Sequence, residues 1–224
     1  MTQAIEALEI QTAPSPDAAV IWLHGLGADG YDFEPVVPEL HLPTQLRVRF
    51  VFPHAPVRPV TLNMGMPMRA WYDILQLGGG AEDAAGIRAS QALVEGLVER
   101  ELGRGVPARR IVLAGFSQGG AIALQTGLRH PERLGGILAL STYLPLAARL
   151  AAERSPANRD LPIFMAHGTL DPMIAIARAR ESHAALQALG YAVEWREYAM
   201  PHSVCAEEIA DIAAWLLRTL APVP

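Results

Sequence analysis

The sequence contains no lysine, and all 18 of its basic side chains are arginines. Without a lysine amine the chain cannot form a Schiff base with a substrate, build a Walker-type phosphate loop or use a Ser-x-x-Lys mechanism. The arginines are scattered singly apart from Arg109-Arg110, and the net charge is −5. Because no basic stripe is present, we do not expect nucleic acid as a partner.

Cysteine and long apolar runs are also scarce. The single cysteine, Cys205, cannot form a disulfide within the chain, which suits a reducing compartment. The N-terminus lacks the charged and apolar regions of a signal peptide, and no run of about 18 apolar residues occurs. We therefore expect a cytoplasmic protein with no stable membrane insertion.

The histidines do not show H-E-x-x-H or a comparable ligand spacing. A metallohydrolase is therefore disfavoured, and neither a metal nor a cofactor is expected.

Half of the chain is apolar: 51% of its 224 residues are hydrophobic and 18% are charged. Such a chain can bury a sizeable core, and we expect residues 1–224 to form a single domain. Apolar strand-like runs alternate with helical segments, which predicts a mostly parallel sheet with helices on both faces and no large cap domain. Predicted strands cover about residues 5–10, 18–23, 48–52, 111–116, 137–140, 162–166 and 193–198. Predicted helices cover about residues 33–40, 81–102, 118–130, 174–189 and the C-terminal segment.

Two segments show no periodicity. Residues 54–80 are rich in proline, glycine and methionine, and a structureless loop of that length is usually functional in a compact domain. Residues 147–160 form the only loose stretch of the second half, too short to separate domains.

The motif G-x-S-x-G lies at Gly115-Phe116-Ser117-Gln118-Gly119, between a predicted strand and a predicted helix. In a nucleophile elbow the serine occupies a sharp, strained turn, and small neighbours allow the backbone to fold back. The motif alone is a weak signal, because a glycine-rich turn with a serine often occurs by chance.

A serine hydroxyl becomes a good nucleophile only when a base accepts its proton and a carboxylate orients that base. In α/β hydrolases the chain order is serine, acid, histidine, with each residue following a strand. Asp171 and His202 have these positions after Ser117, whereas Asp160 precedes a strand. Asp171 could instead be a turn residue or helix cap before Pro172.

The other histidines downstream of the serine fit the catalytic position less well. His130 at a helix end and His183 within a predicted helix are expected to face solvent. His167 directly follows a strand and is compatible with a buried structural role.

A tetrahedral intermediate needs backbone N–H donors directed at its oxyanion. The N–H of Gln118, directly after the serine, is one candidate, and the N–H of Leu26 in the glycine-rich segment 24–27 is the second. These glycines could alternatively serve only a tight strand-to-helix turn.

Taken together, these motifs resemble the small carboxylesterases and acyl-protein thioesterases of the phospholipase/carboxylesterase family of α/β hydrolases. The resemblance runs from about residue 18 to 218, and the segments that carry it are residues 22–30, 70–74, 115–121, 167–171 and 200–204. It implies a compact, lidless α/β hydrolase that uses a serine nucleophile, without metal or cofactor, to cleave carboxylic esters or thioesters.

Matched position by position, the resemblance implies a catalytic triad of nucleophile Ser117, orienting Asp171 and general base His202. It implies Leu26 and Gln118 as oxyanion donors. It also implies three residues of the acyl-pocket wall, namely Trp71, Ile74 and Met173.

Two positions depart from the family pattern. Ala175 stands where members often carry proline, and Pro201 stands where they carry glycine. Neither change removes a reacting group, although Pro201 fixes φ and lacks an N–H.

The function expected from the sequence is that of a serine carboxylesterase acting on short- to medium-chain esters through an acyl-enzyme on Ser117. The substrate would be a small-molecule ester or other acyl compound. An acyl-protein or acyl thioesterase, or a lysophospholipase, is the alternative within the family, and a non-catalytic binding module is the alternative outside it. The apolar segment 62–77 would also permit association into a homodimer.

Overall fold

A computed structural model of the chain describes residues 5–76 and 80–221. Its centre is a seven-stranded sheet with the strand order β1-β3-β2-β6-β7-β8-β9, and β4 and β5 form a separate hairpin. All neighbours in the large sheet are parallel except β1, which runs antiparallel to β3. The strands are β1 Ala7–Gln11, β2 Ala18–Leu23, β3 Val48–Pro53, β4 Val57–Pro59, β5 Pro67–Arg69, β6 Ile111–Phe116, β7 Gly136–Leu140, β8 Ile163–Gly168 and β9 Val193–Tyr198.

Helices cover both faces of the sheet. They are α1 Val36–Glu39, α2 Ala84–Gly103, α3 Gln118–Gly127, α4 Ala147–Glu153, α5 Ile176–Ala188 and α6 Ala206–Thr219. Successive side chains of a strand point to opposite faces, so Ile21 of β2 packs with α2 and α3, whereas Trp22 packs with α1 and α6. The predicted architecture, a mostly parallel sheet between two helical layers, is confirmed.

Among residues 5–76 and 80–221, no helix is both long and apolar enough to cross a membrane.

The predicted element bounds are right for β2, β6 and β9 and differ elsewhere. The helix predicted at 33–40 shrinks to the four residues of α1, because Pro35 and Pro38 supply no N–H and disfavour a helical residue before them. The first strand lies at Ala7–Gln11 rather than 5–10, and the helix after the motif serine ends at Gly127 rather than near 130.

The two segments predicted to lack regular structure contain short elements. Residues 54–80 hold the β4–β5 hairpin and a 3₁₀ turn at Thr61–Asn63, and residues 77–79 lie outside the described part of the chain. Residues 147–160 hold α4 and a 3₁₀ turn at Pro156–Asn158. Elements of three to seven residues are too short to produce a recognisable hydrophobic period, so the sequence does not reveal them.

The nucleophile elbow packs directly against the end of β2. A Cβ atom added to Gly119 would lie 2.3 Å from the carbonyl oxygen of Leu23 and 2.6 Å from that of His24. Gly115 is equally crowded, since its Cβ would lie 2.3 Å from the carbonyl carbon of Gly119. Only glycine fits at these two positions, because the atoms that a side chain would meet belong to backbone that cannot rotate away.

We therefore expect Gly119→Ala to lower the free energy of unfolding by about 2 kcal/mol or more, as overpacking of a rigid contact does. Gly103→Ala is the matched control, because a Cβ there meets nothing within 4 Å. At the end of α2 this control should be neutral or stabilising by up to about 1 kcal/mol. Urea unfolding of both variants measures the difference, and equal effects would contradict the packing argument.

Candidate active site

Four parallel strands end at the same edge of the sheet, and the candidate residues follow them. The glycine-rich loop with Leu26 follows β2, Ser117 follows β6, Asp171 follows β8 and His202 follows β9. The carboxyl ends of the strands in an open parallel sheet line the usual ligand crevice. The fold therefore brings together residues that are far apart in the sequence.

Ser117 occupies the strained turn that the motif predicts. Its backbone angles are φ 54° and ψ −120°, a conformation that costs a residue with a side chain on the order of 1–3 kcal/mol. Two contacts with β7 and the residues after it hold it there. The N–H of Ser117 donates to the carbonyl of Leu140 at 2.8 Å, and the Thr142 hydroxyl donates to the carbonyl of Ser117 at 2.6 Å.

Asp171 and His202 form a close pair. The Nδ1 atom of His202 lies 2.6 Å from Oδ2 of Asp171, whose side chain is fully buried. The other carboxylate oxygen accepts the N–H groups of Met173 at 2.8 Å and Ile174 at 2.9 Å. The turn role considered for Asp171 therefore exists alongside the pairing. With Nδ1–H directed at Asp171, Nε2 is the ring nitrogen of His202 that can accept a proton.

His167 adds a further contact to this carboxylate. Its Nε2 lies 2.8 Å from the carbonyl oxygen of Ile174 and 3.3 Å from Oδ2 of Asp171, inside the protein. Burial lowers the pKa of His167, which keeps the ring neutral with its proton on Nε2. The sequence indicated a buried structural residue. The position of His167, near the end of β8, gave no sign that its side chain contacts Asp171.

The loop that carries His202 rests on the end of β8. A Cβ atom added to Gly168 would lie 2.3 Å from the carbonyl oxygen of Met200 and 2.5 Å from that of Pro201. Thr169 donates its N–H to the carbonyl of Tyr198 at 2.8 Å. The carbonyl of Pro201 still accepts the N–H of Ser203 at 2.9 Å, so proline at this position leaves the turn intact.

Ala175 likewise keeps the backbone that the family's proline would have. Its φ of −55° and ψ of 133° lie in the region open to proline.

The loop after β2 is fixed by a buried histidine. Nε2 of His24 accepts the N–H of Ala55 at 3.0 Å, so Nδ1 carries the proton and donates to the carbonyl of Gly25 at 2.7 Å. Burial lowers the pKa of His24 to about 4, so the ring is neutral at ordinary pH. His24 therefore sets the backbone that presents Leu26.

Trp71 and Gln118 connect this loop to the elbow. Nε1 of Trp71 donates to the carbonyl of His24 at 2.9 Å, and Oε1 of Gln118 accepts the N–H of Trp71 at 2.7 Å. Nε2 of Gln118 donates to the carbonyl of Tyr72 at 2.7 Å. The N–H of Gln118 itself lies in the first turn of α3, where N–H groups have no partner within the helix. This bridging role of the Gln118 side chain was not foreseen from the sequence.

Trp71, predicted to form part of the acyl-pocket wall, occupies a different place from Ile74 and Met173. Trp71 is fully buried in the core, and it is not among the residues that line the cavity beside Ser117. The indole of Trp71 points into the core and donates a hydrogen bond to the carbonyl of His24. Trp71 therefore stabilises the loop after β2.

A cavity of about 310 Å³ lies beside the candidate triad, and both Ser117 and His202 line it. Ile74 and Met173 line it as well, together with Leu26 and Gln118. Its other large apolar lining residues are Leu62, Leu75, Phe116 and Ile174. Within the described residues the Ser117 hydroxyl makes no hydrogen bond. Catalytic hydrogen bonds are often long before substrate is bound, so this arrangement is compatible with a serine that pairs with His202 in the complex.

The remaining histidines lie outside the site. His130 was predicted to face solvent, and this is wrong: it is 4% exposed, because Asn158 donates to its carbonyl at 2.7 Å and Glu132 donates its N–H to Nδ1 at 3.2 Å. His183 is half-buried and stacks on Trp195 with 5.1 Å between ring centroids. In the part of the chain that the structure describes, no cluster of three or more His, Cys, Asp or Glu side chains could hold a metal ion.

Comparison with known proteins gives a family match over nearly the whole chain. The model of the phospholipase/carboxylesterase family matches residues 6–220. Acyl-protein thioesterase 1 of Mycosarcoma maydis is 43% identical over 221 residues, covering 92% of each chain. Acyl-protein thioesterase 1 of Gibberella zeae is 40% identical over 228 residues, covering 97% of each.

Solved structures of similar proteins have the same fold as this chain. Arabidopsis thaliana SOBER1 superposes with a TM-score of 0.86 at 29% identity, covering 91% of this chain and 99% of that one. Acyl-protein thioesterase 2 of Zea mays gives a TM-score of 0.85 at 29% identity, with 96% and 99% covered.

The buried His24 makes the stability of the site sensitive to acid. Its pKa of about 4 in the folded protein lies below the ordinary value of 6.5, so the unfolded chain binds more protons between these values. The free energy of unfolding should therefore fall as the pH drops from 6.5 towards 4. His24→Gln keeps a donor and an acceptor but does not titrate. Between pH 7 and 4.5 the free energy of unfolding of this variant should therefore fall by about 2 kcal/mol less than that of the unmodified protein.

Urea unfolding at several pH values measures the slope of the free energy of unfolding against pH. His167, whose pKa is lowered in the same direction, retains its share of the slope in the variant. His41→Asn is the control, because His41 is exposed and asparagine tolerates its φ of 46°. A His24→Gln variant with the slope of the unmodified protein would contradict the assignment.

Proposed function

The chain belongs to the phospholipase/carboxylesterase family of hydrolases, and on that premise we propose that it is a serine carboxylesterase. Its substrates would be short- to medium-chain carboxylic esters, and its intermediate an acyl-enzyme on Ser117. The observation that carries this proposal is the Asp171–His202 pair at 2.6 Å, beside a cavity that Ser117 and His202 share.

In the acylation step, Oγ of Ser117 attacks the ester carbonyl carbon while Nε2 of His202 accepts the hydroxyl proton. Asp171 stabilises the imidazolium that forms. The carbonyl oxygen becomes an oxyanion and accepts hydrogen bonds from the N–H groups of Leu26 and Gln118. When the intermediate collapses, the alkoxide leaves and takes the proton from His202.

Deacylation repeats the same steps with water. His202 accepts a proton from the water as it attacks the acyl carbon, and returns it to Oγ of Ser117 when the acid is released. Each proton that His202 accepts is given back, so the protein ends the cycle unchanged.

The strained serine argues against a catalytically silent binding module. A conformation that costs on the order of 1–3 kcal/mol persists where the surrounding structure enforces it, and such residues cluster at active sites. Here the elbow glycines and the contacts to Leu140 and Thr142 enforce it.

Acyl thioester hydrolysis is the second candidate, and the relatives favour it. Two proteins that are 43% and 40% identical to this chain carry the name acyl-protein thioesterase 1. A thioester requires the same nucleophile, base and oxyanion donors, so the geometry of the triad suits hydrolysis of either an ester or a thioester bond.

Cytoplasmic location and homodimer formation stay predictions of the sequence.

A fluorophosphonate probe tests the catalytic role of Ser117. We expect stoichiometric labelling at Ser117 in the unmodified protein and none in Ser117→Ala. The turnover number should fall by about 10³-fold or more in Ser117→Ala and in His202→Asn.

Ser155→Ala is the control for labelling, since Ser155 caps a short turn and does not line the cavity. Unmodified protein that fails to label at Ser117, or a His202→Asn variant that keeps its turnover number, would contradict the mechanism.

Matched esters and thioesters of increasing acyl length distinguish the two candidates. We expect kcat/KM to be greatest for short to medium acyl esters, because the cavity of about 310 Å³ is small and part of its wall is apolar. Steady-state kinetics with oxygen and sulfur leaving groups on the same acyl chains measures this. A clear preference for long-chain thioesters would favour the thioesterase instead.

A further inference from the structure

Arg178 on α5 brings a positive charge to the wall of the catalytic cavity. Its guanidinium carbon lies 3.4 Å from the centroid of the Tyr143 ring, in a stacked contact. Arg178 and Tyr143 line the same cavity as Ser117 and His202. Among the described lining residues, Arg178 is the only lysine or arginine.

This arginine has no carboxylate partner in the described residues, unlike its neighbour on the same helix. Arg180 binds Glu197 through two hydrogen bonds of 2.8 and 2.7 Å. Stacking on the Tyr143 ring occupies one face of the Arg178 guanidinium, and the Tyr143 hydroxyl also interacts with this side chain. The remaining N–H groups, which lie in the guanidinium plane, are available. An arginine held in this way is preorganised to bind a planar anion with two parallel hydrogen bonds.

The phenols beside Arg178 add a further donor. The hydroxyl oxygens of Tyr72 and Tyr143 lie 2.8 Å apart, and both residues line the cavity. The bond between them uses one of their two hydroxyl protons, which leaves the other for a ligand. Burial raises the pKa of both phenols, so both remain protonated at neutral pH. Arg178 and this hydroxyl pair therefore form a wall rich in donors.

Four of the described acidic residues line the cavity, and two of them, Glu82 and Asp83, already accept hydrogen bonds from the chain itself. Glu82 accepts the N–H of Leu146 at 3.0 Å. Asp83 accepts the N–H of Gly86 at 2.8 Å and that of Asp73 at 3.0 Å. The negative charge of these carboxylates repels anions at long range. An anion therefore binds favourably in the cavity only where it pairs directly with Arg178.

We propose that Arg178 forms an anion subsite of the acyl cavity, selecting esters whose acyl chain ends in a carboxylate, such as half-esters of dicarboxylic acids. The acyl side is favoured because Arg178 lies on the helix that follows Met173 and Ile174, which line the cavity together with Ile74. This inference rests on the proposed esterase function and adds its substrate class.

The test compares two activated esters that differ only in terminal charge. The p-nitrophenyl half-ester of adipic acid carries a free carboxylate, and its methyl-capped diester is neutral at that end. The readout is the ratio of kcat/KM for the anionic ester to that for the neutral one at the p-nitrophenyl bond. We expect this ratio to fall about tenfold or more in Arg178→Gln, as the loss of a bidentate charged pair implies.

Arg180→Gln is the matched control and should leave the ratio unchanged, because Arg180 is already bound to Glu197. Arg178→Lys keeps the charge but loses the planar fork, so its ratio should lie between those of the unmodified protein and Arg178→Gln. An unchanged ratio in Arg178→Gln, including the case where both esters slow equally, would overturn the subsite. Failure of the esterase proposal would look different, since the unmodified protein would hydrolyse neither ester and would not label at Ser117.

Discussion

The close approach of α3 to the end of β2 is the contact on which the site depends. Gly119 lies so near the carbonyls of Leu23 and His24 that no side chain fits between them. This contact places the first turn of α3, with the N–H of Gln118, beside the loop that carries the N–H of Leu26. A serine in a strained conformation is tolerated there because backbone on both sides leaves the turn no room to relax.

Buried hydrogen bonds then join three distant segments around that contact. His24 fixes its own loop through Gly25 and Ala55, Trp71 holds the carbonyl of His24, and the Gln118 side chain holds residues 71–72. Each of these groups is buried, so losing one partner would leave another without a hydrogen bond at a cost of about 1–3 kcal/mol. The buried side chains of His24, Trp71 and Gln118 therefore hold the candidate site rigid.

The sequence predicted well what depends on chain order and short-range pattern. The parallel sheet, the strained Ser117 and the placement of Asp171 and His202 after strands follow from buried runs and turn residues. It did not predict the orientation and burial of side chains, which depend on the three-dimensional fold. Nothing local shows that Trp71 turns into the core or that His130 is buried, because neighbours from distant parts of the chain decide both. The β4–β5 hairpin was missed because its strands are only three residues long.

The polar wall of the cavity is a further feature that the local sequence does not predict, and it affects which substrates the cavity would select. Arg178 lies within a helix where its charge suggests a solvated face, and only the fold sets it over Tyr143 and on the wall of the cavity that Ser117 also lines. In the proposed mechanism the transition state places an imidazolium on His202 and an oxyanion between two N–H groups, so the nearby acidic residues would favour the first of these charges. A substrate carboxylate adds to that favourable field at His202 but must overcome repulsion from Glu82 and Asp83. Direct pairing with one fixed guanidinium is the interaction that can offset this repulsion, so charge selectivity would depend on position rather than on net charge.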